Sequence, residues 1–110
     1  MKHVLLESIT ETEADGYYFG QFKSMDPITL MGTLDEPICL IHRMELERAR
    51  NEGRFKEVYE LVEYQDKAEQ RFGSRGKPAA IAVLIEELGY STLTLPHHYP
   101  VAYYEELPKF

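Results

Sequence analysis

Two short segments carry side chains whose types and spacing suit chemistry. Gly73-Ser74-Arg75-Gly76-Lys77 sets two glycines, a hydroxyl and two cations ahead of an apolar run that opens with Pro78. His97-His98 adds two imidazoles further along. Loops that lead into a helix attract anions, because the first amide N–H groups lack partners and the dipole is positive there. A Walker-type loop needs four residues between its first glycine and the Gly-Lys pair, followed by Ser or Thr. Here only Ser74 and Arg75 intervene and Pro78 takes the hydroxyl position, so the segment is not a nucleotide P-loop.

A helix over 78–89 rises about 18 Å, and a strand over 90–95 covers about 20 Å. A reversal at Gly89 would return the strand's far end to the start of that helix. Ser74, Arg75, Gly76, Lys77, His97 and His98 would then form an anion site with acid–base capacity, suited to phosphate or a nucleotide. The plainer reading is a bend between two helices with solvated cations.

Other constellations are weaker. Adjacent histidines on extended chain point to opposite sides, and no paired-cysteine or H-x-x-x-H spacing is present, so neither a metal site nor a cofactor is expected. Cys39 and His42 sit three apart on the first expected helix, hence on one face. Cys39 is flanked by Ile38, Leu40 and Ile41, however, and reads as a core thiol rather than a nucleophile. Glu86-Glu87 and Glu105-Glu106 are neighbours that diverge on regular structure, unlike a glycosidase pair. With no complete catalytic set, a non-enzymatic role is favoured.

The C-terminal stretch offers a different kind of site. Tyr99, Tyr103, Tyr104 and Phe110 are accompanied by Pro96, Pro100 and Pro108. Aromatic side chains are enriched in interfaces, and proline bracing lowers the entropy lost on docking. The arm either meets a partner or folds back over its own core. Tyr17-Tyr18-Phe19 forms a second aromatic patch with the same two readings, and an exposed sheet edge could pair across a dimer axis.

The elements that must hold these residues follow from the patterning. "HVLLESITETE", a turn at Ala14-Asp15-Gly16, "YYFGQFKS" and "ITLMGTL" read as an antiparallel β-meander over 1–35. Asp35 is placed to cap a helix starting near Pro37 and closed by Asn51-Glu52-Gly53. Phe55, Val58, Leu61, Val62, Ala68 and Phe72 recur at helical spacing up to Gly73, with Glu63 and Lys67 paired on the wet side. Ile81, Leu84, Ile85 and Leu88 mark a third helix stopped by Gly89. "YSTLTLP" alternates as a strand. The expectation is a single α+β domain over 1–110. It has two layers: a β-meander (1–35), three helices (36–89), then a strand and an extended aromatic arm (90–110).

The bulk numbers agree with a small globular chain. It has 110 residues, 44% hydrophobic and 28% charged, and a single cysteine. One cysteine excludes an internal disulfide and points to a reducing, cytoplasmic setting. The opening "MKHVLLESITETE" has too short an apolar run for a signal peptide, and no run reaches the length of a membrane span. The net charge of −7 makes direct nucleic-acid binding unlikely. Residues 1–42 carry two cations and seven anions, 43–77 nine and eight, and 78–110 one and four. The leading expectation is a small acidic binding or regulatory protein. It would work through protein contacts of its aromatic arm and sheet edge, with a protein partner or a second copy as a homodimer. Anion binding at 73–77 is the first alternative. An acidic nucleic-acid mimic is the second, although the cations of 43–77 interrupt any anionic stripe.

Overall fold

A computed structural model describes residues 3–95 and 99–107. Five strands form one mixed sheet: β1 (His3–Ser8), β2 (Ile28–Gly32), β3 (Pro37–Ile41), β4 (Glu57–Glu60) and β5 (Leu93–Thr94), in the order β4-β3-β2-β1-β5. β2 is antiparallel to β1 and β3, while β4 runs parallel to β3 and β5 parallel to β1. Every strand except β2 therefore points the same way. The carboxyl ends of four strands gather at one edge of the sheet.

The helices are α1 (Ala14–Gly20), α2 (Leu46–Glu52), α3 (Leu61–Phe72), α4 (Lys77–Leu88) and α5 (Val101–Glu106), with a 3-10 turn at Arg43–Glu45. The α+β class expected from the sequence holds, with antiparallel N-terminal strands ahead of the main helical segment. The helical material is divided between both faces of the sheet rather than gathered on one. Leu5, Met31, Ile38 and Leu40 pack with α3 and α4. Leu6, Leu30, Cys39, Ile41 and Val58 pack with Phe19 of α1, Ala49 of α2, Phe22 and Phe55. Alternate residues of each central strand thus feed opposite cores, as the pleat requires.

Three local expectations about elements within residues 14–60 are corrected. Residues 14–20 are a helix, not the turn and returning strand of a hairpin. Gly16, Phe19 and Gly20 face inward at helical spacing while Tyr17 and Tyr18 face out. The small residues allow close approach: a Cβ at Gly20 would lie 2.5 Å from the Phe55 ring.

Residues 37–41 are a strand, not the start of a helix capped by Asp35. PICLI is buried on both faces, and a central strand with both faces covered reads as an unbroken apolar run. Asp35 sits instead in the turn joining β2 to β3, where Glu36 N–H meets Thr33 O at 3.2 Å. Gly32 enters that turn at φ +105°, a conformation costly for any other residue.

Residues 57–60 are β4, so Val58 belongs to a strand facing one core and α3 begins only at Leu61. α3 and α4 end where expected, at Gly73 and Gly89, both left-handed. The two helices are joined by side chains. Tyr64 donates to Glu87 at 2.8 Å, Lys67 pairs with Glu87 at 2.9 Å rather than with Glu63, and Arg71 pairs with Glu86.

The segment 101–106 is helical, so the arm is not extended there. Among the described residues no helix is long and apolar enough to cross a membrane.

Candidate functional site

The carboxyl edge of the sheet collects the loops after β1 and β3, the starts of β2 and α3, and the start of α4. In open α/β folds this is the edge where ligands bind. Lys77 reaches it from the first turn of α4. Its ammonium donates to Glu7 Oε2 at 2.9 Å and to the Pro27 carbonyl at 3.2 Å. The Glu7 side chain is only 3% exposed, that of Lys77 16%. The other Glu7 oxygen accepts from the buried Thr29 hydroxyl. Burying a carboxylate is costly unless it is paired and hydrogen-bonded. Lys77 and Thr29 meet that need.

Tyr99 packs into the same core as α3 and α4, and Tyr103 lies partly buried against it. Burial pushes the Tyr99 phenol up, and the Glu7 charge and Tyr103 add to the shift. Tyr103 is raised by burial and then by Glu7. The Tyr99 hydroxyl has no hydrogen-bond partner among the described residues.

The 73–77 loop is folded onto α3. Ser74 Oγ accepts from Gly76 N–H at 3.2 Å, and Gly76 is the N-cap of α4. Arg75 pairs with Asp66 at 2.5 Å and Glu69 at 3.8 Å, and its carbonyl accepts from Gln65 at 3.0 Å. The Asp66 hydrogen bond pushes the Arg75 pKa up. Arg75 and Lys77 thus face different carboxylates, one outside on α3 and one buried in the sheet. His97, His98 and Phe110 lie outside the described residues. Tyr104 is on α5, but its side chain is not among those described.

Cys39 is fully buried on β3, and burial pushes its thiol up to about 12. It cannot act as a thiolate at neutral pH. His42 follows the strand, is exposed, and accepts from Met44 N–H at 3.2 Å. The one-face pairing of Cys39 with His42 required a helix, and the strand removes it. Among the described residues no cluster of three or more His, Cys, Asp or Glu is placed to hold a metal ion.

The opposite, amino edge carries a groove of about 470 Å³ between α1 and the β2–β3 turn. Val4, Tyr18, Phe19 and Leu34 supply its apolar surface, and Asp15 and Asp35 stand on its two walls. Tyr18 is 67% exposed and Leu34 49%. Arg54 fixes the separation of these walls. Its Nε donates to the Phe19 carbonyl at 3.0 Å, its second arm donates to the Leu34 carbonyl, and its own N–H meets Gly20 O at 2.8 Å. A guanidinium on the last carbonyls of α1 also suits the helix dipole. Tyr17-Tyr18-Phe19 had marked an aromatic patch in the sequence. Its partner wall does not show in the sequence, where the residues of the β2–β3 turn continue the pattern of a strand.

No protein-family model matches the chain, and no curated protein matches it in sequence. Two solved structures are similar in fold. An XXA-pro aminopeptidase from Streptococcus pyogenes superposes with a TM-score of 0.63 at 13% identity, over 98% of this chain and 70% of that one. The aminopeptidase P (XAA-pro aminopeptidase) from Streptococcus thermophilus gives 0.62 at 15%, over 99% and 71%. At these identities the likeness shows the fold alone.

Proposed function

We propose that this chain is a small binding or regulatory domain that acts through protein contacts, with the amino-edge groove as its contact surface. The observation that carries the reading is the exposure of Tyr18 and Leu34 on a shaped apolar groove. Folded domains seldom leave contiguous apolar surface uncovered without a use for it. The other surfaces suit contact less well. Tyr99 is spent on the chain's own core. The β4 edge is four residues long and begins and ends in glutamate, a pattern that discourages strand addition.

The cations of the 73–77 loop are balanced by Asp66, Glu69 and Glu7, which weighs against an anion site. Photo-crosslinking tests the proposal. A benzophenone side chain at position 18 should give one defined adduct in cells. The adduct should vanish with Leu34→Asp, and it should be absent when the probe sits at position 63 on α3. The same diffuse adducts from both positions would sink the reading.

A further inference from the structure

Resting on that reading of the groove, we infer that its occupant is a cationic amphipathic segment of another protein, with apolar anchors set between lysines or arginines.

The apolar part of the recognition follows from size and rigidity. A groove of about 470 Å³ falls within the usual range of ligand pockets and holds a few aliphatic or aromatic side chains. Arg54 ties the Phe19 and Leu34 carbonyls together, so the walls are set before a partner arrives. A preorganised surface loses less entropy on binding.

The sign of the partner's charge follows from the rim. Asp15 stands on the α1 wall and Asp35 on the turn wall, and neither has an ion-pair partner among the described residues. Among the described residues no lysine or arginine lines the groove. Arg54 is turned onto two carbonyls, and Lys23 lies over the Tyr17 ring, 5.7 Å from its centroid. Residues 1–42, which build most of this edge, carry two cations against seven anions. A second copy would bring four like-charged carboxylates to one interface between chains of net charge −7, which costs association energy. An anionic lipid surface is disfavoured for the same reason. A basic segment gains from both features: its anchors fill the groove and its cations meet the two aspartates.

Fluorescence anisotropy with short labelled peptides tests the inference. The probes are a leucine–lysine alternating peptide, its leucine–glutamate counterpart and a serine–lysine peptide. The leucine–lysine peptide should bind, and the other two at least about tenfold more weakly. Asp15→Asn with Asp35→Asn should weaken it by about tenfold, and so should Leu34→Ser. Glu63→Gln with Glu105→Gln, which removes the same charge elsewhere, should leave binding unchanged.

Equal binding of the lysine and glutamate peptides, with both lost in Leu34→Ser, would overturn the cationic partner while leaving the groove as the contact surface. If no peptide responds to any groove substitution, both ideas fail. Sedimentation gives the remaining outcome: dimerisation that tightens when the two aspartates are neutralised would assign the groove to a second copy and overturn the inference.

Discussion

At the carboxyl edge, Lys77 is matched to a carboxylate that is almost fully buried, and Arg75 beside it is held by Asp66 and Glu69. At the amino edge, Asp15 and Asp35 face a groove that no cation lines among the described residues, next to apolar side chains open to solvent. Both edges combine charge with shape, but only one is finished. The loop that looks chemical in the sequence spends its cations on the chain's own carboxylates. The segment that looks like an ordinary aromatic strand builds the surface left unmatched. Charge marks a binding site where it is uncompensated, and a motif alone does not report compensation.

The largest expected effect breaks the finished edge. Lys77→Met leaves Glu7 buried with only the Thr29 hydroxyl to satisfy it, and should cost about 3–5 kcal/mol in chemical denaturation. Adding Glu7→Gln to Lys77→Met should recover most of that loss, because no charge is then stranded. A loss below about 1 kcal/mol for the single variant would show a lightly held ammonium, available to a ligand.

The same contrast explains what was legible in the sequence. Gly73 and Gly89 marked helix ends because a left-handed cap needs little beyond its own turn. Ile81 and Leu84 declared α4 through a sustained period. Ile38 to Ile41 did not declare β3, since a strand covered on both faces has no alternation to read. Val58 and Leu61 fell at helical spacing only because β4 runs straight into α3. The spacing of Gly16, Phe19 and Gly20 did hold the signal for α1, but the tyrosines between them favoured a strand. The Glu7–Lys77 pair spans 70 positions and depends on strand order, which no local pattern encodes. The groove depends on the same hidden topology.

A smaller effect sharpens the comparison at the helix pair that carries the finished edge. Glu87 is held below the ordinary carboxylate range, first by the Lys67 hydrogen bond and also by the Tyr64 hydroxyl, against a desolvation cost. A carboxyl with a depressed folded pKa gives stability that is present above its unfolded pKa and lost as pH falls through the folded value. Stability should therefore decline on acidification below the usual carboxylate range, and Glu87→Gln should flatten that limb. The pair is exposed, so the change should stay under about 1 kcal/mol. Denaturation midpoints measured from neutral pH down to acid check it. An acid limb that is identical in Glu87→Gln would show that the clasp contributes nothing.

The smallest expected effect is none at all, and it bears most directly on the finished edge. Thermal melts at low salt with phosphate or a nucleotide should leave the midpoint unchanged. An incoming anion at 73–77 would have to displace Asp66 and Glu69 from Arg75, or strip Lys77 from Glu7. Displacing the first two gains little, since one exposed anion replaces another. Stripping Lys77 exposes the molecule to the cost of an unpaired buried carboxylate. The null result is informative because a bound ligand would be plain. At a hundred times its dissociation constant a ligand adds about 2.7 kcal/mol, and each kcal/mol is worth roughly 4–8 °C in a domain near this size. A rise of that order, abolished by Arg75→Ala, would mean that the loop's cations are exchangeable. The two edges would then differ in affinity rather than in kind, and the search for a ligand would return to Ser74-Arg75-Gly76-Lys77.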